Sequence, residues 1–145
     1  MILHRRTALQ MLAVLPLFGC SSAQAKVYHD PECGCCKKWM DLLAKDGRYS
    51  LQTISATDRS ALHRQLGIPR ELASCHTAII DGYAFEGHVP LGDVARVLAE
   101  RPSDILGLAV PEMPVGSPGM ESPSGAEPYS VIAFGKNGLK IYASY

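Results

Sequence analysis

The stretch DPECGCC, Asp30 to Cys36, sets three thiols within four positions. Thiols this close must be bonded, ligating or reactive, so the fold has to be built around them. Before the cluster, KVYHD (Lys26–Asp30) predicts a short strand that Pro31 ends. After it, Cys33–Asp46 predicts a helix, because Trp39, Leu42 and Leu43 recur at helical spacing and Gly47 is a fitting stop. The cluster therefore lies where a strand hands over to a helix, and a helix N-terminus lowers thiol pKa through its dipole and free N–H groups.

The elements that follow are short and alternate in type. YSLQTISA (Tyr49–Ala56) alternates apolar and polar residues like a half-buried strand. TDRSALHRQLG reads as a helix with Thr57 or Asp58 as N-cap, Leu62 and Leu66 on one face, and a stop at Gly67. IPRELASCH is a connector with a helical turn. TAII and YAFEG flank Asp81-Gly82, a hairpin dipeptide, and PLGDVARVLAERP is a second clear helix carrying Leu91, Val94, Val97 and Leu98. Val110–Pro128 is rich in Pro, Gly and Ser and predicts a loop, and the chain closes as a hairpin around Asn137-Gly138. The expected order β-α-β-α-β-β-α, then loop and hairpin, is an α+β architecture. Its central mixed sheet has flanking helices and a C-terminal β-hairpin. With C-x-x-C at the first strand–helix junction, it resembles the thioredoxin fold. That resemblance implies that Cys75 and His76 lie in the loop facing the first helix.

Residues 1–25 read as an export segment rather than as part of the fold. A basic start (His4, Arg5, Arg6) precedes an apolar run, Ala8–Phe18, too short to span a bilayer. AQA at Ala23–Ala25 fits a soluble signal peptide, whereas LFGC at Leu17–Cys20 resembles a lipobox that would place a lipid anchor on Cys20. Arg5-Arg6 is read as an ordinary basic n-region. Either route exports the protein, so the bacterial periplasm is expected, with the protein soluble or lipid-anchored. Removing residues 1–25 takes two of the 14 basic residues and none of the 14 acidic ones, leaving a net charge of −2 on a domain spanning 26–145. That balance argues against a nucleic-acid binder. A hydrophobic content of 47% suffices for a core.

Four cysteines remain after residue 25: Cys33, Cys35, Cys36 and Cys75. Two of the three full disulfide pairings require Cys35–Cys36 or Cys33–Cys35, small rings far from preferred geometry. The third, Cys33–Cys36 with Cys35–Cys75, crowds two bridges onto one helix turn. A thiol–disulfide oxidoreductase needs only Cys33 as nucleophile and Cys36 as resolving thiol, leaving Cys35 and Cys75 without a task. A metal site uses all four. Thiolates select Cu(I), zinc or iron–sulfur chemistry. There is no second C-x-x-C pair of the structural-zinc kind, and the adjacent Cys35-Cys36 suits several ions bridged by shared sulfur. A polynuclear Cu(I)–thiolate cluster is the expected cofactor.

YHDPECGCCKKW, CHTA, GYAFEGHVP and GLAVPEMPVGSPGME together resemble the CopG-type copper-resistance proteins of bacterial envelopes. The resemblance runs from about Val27 to Tyr145. It implies a thioredoxin-like domain whose copper ligands are Cys33, Cys35, Cys36 and Cys75, a role in copper resistance with interconversion or buffering of the copper oxidation state, and envelope copper-handling proteins as partners. The sequence departs from the family pattern at Glu112, where glycine is expected. His76 and His88 are near-site candidates, His76 as a ligand or as a group that tunes the cluster. Met113 and Met120 flank PVGSPG, and a thioether is a good Cu(I) donor. The loop carrying them is a candidate lid. His29 is expected at a strand end, His63 on the surface, and Trp39 and Met40 in the core.

Overall fold

The computed structural model describes residues 22–145. Arg5, Arg6 and Cys20, and with them the lipobox reading, lie outside the described residues. The elements are β1 (Ala23–His29), α1 (Gly34–Lys45), β2 (Tyr49–Ser55), α2 (Ser60–Leu66), a 3-10 turn (Arg70–Leu72), β3 (His76–Ile80), β4 (Tyr83–Gly87), α3 (Leu91–Glu100), β5 (Ile105–Val110), β6 (Ser130–Gly135) and β7 (Gly138–Ser144). The strands form one mixed sheet in the order β2-β1-β3-β4-β5-β6-β7. β1 and β2 run parallel, as do β4 and β5, and every other neighbouring pair is antiparallel.

The apolar pattern sorts onto two faces of this sheet. Trp39, Met40 and Leu43 of α1 and Val94 and Val97 of α3 share a core with Val27, Ile80, Phe85 and Leu108. A smaller core joins Ile68 and Leu72 to Ala84, Ala109 and Phe134. Ala84 and Phe85 are neighbours on β4, and Leu108 and Ala109 on β5, yet each pair is split between the two cores. Successive strand residues point to opposite faces, so α1 and α3 cover one face and the α2 region covers the other.

Local chemistry explains most boundaries. Asp81 (φ 48°) and Gly82 (φ 87°) both take the left-handed conformation that a tight β3–β4 hairpin requires. Gly67 ends α2 in the same conformation, as expected. The N-cap of α2 differs from expectation. It is Arg59, which caps with no side-chain hydrogen bond, while the carboxylate of Asp58 accepts from the Ser60 N–H at 2.8 Å one residue further in. Strand β5 was not expected at all. ILGLAV is a short apolar run without period-two alternation, because all but Leu106 of its residues are buried.

β1 starts three residues before the expected strand. Ala23, Gln24 and Ala25 align with Tyr49, Ser50 and Leu51 on β2, and Ala25 is fully buried opposite Ile80. A chain beginning at Lys26 should therefore be less stable than one beginning at Ser21, by roughly 2–4 kcal/mol for the lost ladder hydrogen bonds. Thermal unfolding of the two should differ by roughly 5–10 °C. Equal midpoints would show that the sheet does without Ala23–Ala25.

Candidate metal centre

The cysteines sit on a tightly turned junction. After His29 the Asp30 carbonyl accepts from the Cys33 N–H (3.0 Å), and the Asp30 carboxylate accepts from the Glu32 N–H (2.9 Å). This turn delivers Cys33 as the N-cap of α1, where its sulfur accepts from the Cys36 N–H at 3.4 Å. Cys33 and Cys36 are joined by a disulfide, while Cys35 and Cys75 are free thiols. Cys75 reaches the same spot from the loop before β3. The antiparallel pairing of β1 with β3 sets His29 opposite His76, so the chain entering β3 passes beside the chain leaving β1. All four cysteine sulfurs lie within 4.8 Å of one another. Cys35 Sγ stands 3.4 Å from Cys33 Sγ and 3.8 Å from the thioether of Met113.

Two imidazoles complete the surroundings of Cys75. Its sulfur lies 3.2 Å from His76 Nδ1 and 3.1 Å from His88 Nε2, and these three atoms form a second potential metal-holding group. His88 donates through Nδ1–H to the Pro118 carbonyl at 2.7 Å, which leaves the Nε2 lone pair facing Cys75. His76 is fully buried, with its ring 4.6 Å from that of Trp39, and its Nε2 has no hydrogen-bond partner among the described residues. The indole of Trp39 in turn donates to the Val89 carbonyl at 2.9 Å.

Burial sets the protonation of this cluster. It pushes the Cys75 thiol up to about 12, with the neighbouring Cys35 adding to the effect. It holds His76 well below its ordinary 6.5, helped by repulsion from His88, Arg59 and His29. His88 is also lowered by burial, against the opposing pull of the Pro118 carbonyl. Both rings are therefore neutral near pH 7, the form that ligates. Below about pH 6.5 the unfolded chain binds more protons than the folded one, so stability falls as pH falls. Above about pH 9 the unfolded chain releases a Cys75 proton that the folded chain keeps, so stability falls again. Urea unfolding of the copper-free, oxidised protein should give its highest midpoint near neutrality. A midpoint flat across this range would mean that the three groups are solvated.

The Pro/Gly-rich loop lies against the cluster. Glu112 (φ 65°) and Met113 (φ 51°) are both left-handed, which explains why glycine suits position 112, and this turn presents Met113 to Cys35. Gly119 (φ 86°) presses on the N-terminal half of α1, where a Cβ would stand 3.0 Å from the Trp39 backbone nitrogen and 3.3 Å from the Cys35 carbonyl. Met120 contributes through its backbone, accepting from the Gly116 N–H and donating to the Ser117 carbonyl. Its thioether is not within hydrogen-bonding range of a cysteine among the described residues.

His29 is buried at the end of β1, and its Nδ1 lies 2.9 Å from the Asp30 carbonyl. His63 is not a surface side chain as expected. Its Nε2 lies 3.1 Å from Thr77 Oγ1 and 3.3 Å from the buried Glu86 carboxylate. Glu86, which lies within GYAFEGHVP but has no expected role, also accepts from the Ser74 N–H and the Thr77 hydroxyl. Arg59, which no local pattern marks, donates through Nη2 to the Ser74 carbonyl beside Cys75 at 2.7 Å.

A mixed-sheet α+β domain that gathers thiols, imidazoles and a thioether at one strand–helix junction defines a protein class built on a soft-donor centre. Two solved structures, described as copper resistance protein copG in its forms 1 and 2, match this chain at TM-score 0.79 and 38% identity. Each match covers 86% of this chain and 98% or 99% of the other. A family model described as protein of unknown function DUF411 matches residues 72–120, and no curated protein matches. The chain belongs to the CopG-type copper-resistance family.

Proposed function

We propose that the protein binds copper in the bacterial envelope as a polynuclear Cu(I)–thiolate cluster on Cys33, Cys35, Cys36 and Cys75, in the service of copper resistance. The observation that carries this reading is the gathering of four sulfurs within 4.8 Å, with Cys75 also belonging to the group it forms with His76 and His88. Copper is the cargo, and the donor set fits it. Thiolate, thioether and neutral imidazole are soft or borderline ligands suited to Cu(I), and a sulfur common to two groups suits a bridge. The description of the two matched structures as copper resistance proteins supports the choice of copper over zinc.

The Cys33–Cys36 disulfide and the four-thiolate cluster are alternative states of one site, because a disulfide sulfur is not a thiolate ligand. Opening the disulfide takes up two electrons, the number that two Cu(I) ions release on oxidation to Cu(II), and yields two thiolates free to ligate. Interconversion of copper oxidation states would proceed by that exchange. The strand order β2-β1-β3-β4, with α1 joining the parallel pair and α3 following β4, supports a thioredoxin-like unit for the first part of the domain. For processing we favour the lipobox, because cleavage before Cys20 leaves β1 whole whereas cleavage after Ala25 cuts into it. Partners would then be other copper-handling proteins of the envelope.

A second reading, thiol–disulfide exchange by Cys33 and Cys36, is favoured by the disulfide itself. Metal content per chain, measured on protein from copper-fed cells, separates the two. Several coppers per chain support the cluster. Near-stoichiometric zinc without copper, or no metal with Cys33–Cys36 oxidised, would sink it.

A further inference from the structure

Beside α2 lies a cleft of about 590 Å³ that the copper reading does not use. It is lined by Arg59, Arg64 and Arg70 together with His63. Asp58 is the single acidic lining residue, and its Oδ1 is already engaged by the Ser60 N–H and hydroxyl at 2.8 and 2.6 Å. Among the described residues none of the three arginines has a carboxylate within 4.0 Å. Arg64 and Arg70 are exposed and lack a carboxylate partner, and two such guanidinium groups lining a concave site make a receptor for oxyanions, because their planar N–H forks match carboxylate and phosphate geometry. The volume lies within the range of small-molecule sites.

Arg59 and Thr57 line both this cleft and the depression of about 400 Å³ at Cys33, Cys35 and Cys75. Arg59 also holds the Ala56 and Ser74 carbonyls, at 3.1 and 2.7 Å. The residue that would meet an anion thus also props the backbone next to Cys75.

We propose that the Arg59–Arg64–Arg70 cleft binds a small molecule bearing carboxylate or phosphate groups, and that Arg59 transmits its occupancy to the neighbouring thiols. The site itself stands apart from the copper reading, and only the use of the coupling in copper handling rests on it. The test titrates citrate and inorganic phosphate separately into copper-free protein by calorimetry at fixed ionic strength. One saturable site is expected for citrate, phosphate or both, and which of them binds more tightly assigns the ligand to carboxylates or to phosphates. In the double variant Arg64→Gln/Arg70→Gln, whose side chains are exposed, binding should weaken by about tenfold or more while the unfolding midpoint holds. The bound anion should also change the rate at which the free thiols Cys35 and Cys75 react with an aromatic disulfide, by about twofold or more. No saturable binding of either probe, or equal binding in the double variant, overturns the site. Binding with an unchanged thiol rate overturns the coupling. Neither outcome depends on metal content, so the copper reading fails or stands separately.

Discussion

Cys75→Ser is expected to cost the protein at least half of its bound copper. The sulfur of Cys75 is the one donor common to the four-cysteine group and to the group with His76 and His88. Serine offers a hard hydroxyl of similar shape that does not compete for Cu(I). The side chain is only partly buried, so the substitution should leave the unfolding midpoint nearly unchanged and the loss should be one of ligation. Copper per chain, measured alongside free thiol content, checks this. Met120→Leu serves as the matched control and should retain wild-type copper, because that thioether is not in range of a cysteine. Wild-type copper in Cys75→Ser would remove Cys75 from the centre and shift the balance towards dithiol chemistry at Cys33 and Cys36.

The largest stability effect is expected at Trp39. Its indole is fully buried, lies tilted by 42° with its ring centre 4.6 Å from that of His76, and donates to the Val89 carbonyl one residue beyond His88. Trp39→Ala should destabilise the copper-free protein by about 3–5 kcal/mol, since it opens a large cavity and orphans a buried carbonyl. The melting temperature should fall by roughly 10 °C or more. Trp39→Phe keeps most of the apolar volume and loses the hydrogen bond, so about 1–2 kcal/mol is expected. Urea unfolding of both variants reads the two contributions separately. A cost below about 1 kcal/mol for Trp39→Ala would mean that the ring is not part of the core. Because His76 packs on this indole, the alanine variant should also bind copper less tightly even where it remains folded.

Much of the site was legible in the chain because it is local. Cys33, Cys35 and Cys36 fall on one strand–helix junction within four positions, and the periodicity of Trp39, Leu42 and Leu43 predicts the helix they open. Asp81-Gly82 predicted its own hairpin, since that backbone needs left-handed residues. Strand β5 was missed for the complementary reason. A strand buried on both faces has no polar alternation to mark it, and its partners β4 and β6 lie far off along the chain. His63 was misplaced because a histidine amid polar helix residues reads as solvated, and the buried Glu86 and Thr77 that draw it inward belong to strands β3 and β4.

By itself the sequence determined most of the elements, though not β5, together with the thiol cluster and its N-terminal helix position, because spacing and turn chemistry act over a few residues. Only the tertiary structure decided which distant groups join them. Cys75 arrives 39 residues after Cys36 because β1 and β3 pair antiparallel in a register that sets His29 beside His76. His88 arrives because β4 ends in the left-handed Gly87, and Met113 because two left-handed residues turn the loop back onto α1. Arg59, hydrogen-bonded to the Ser74 carbonyl, lines both the depression at the thiols and a basic cleft that no local motif announces. Strand register and loop reversal are properties of the whole sheet, set by which faces must be buried together, and no short stretch of sequence carries them.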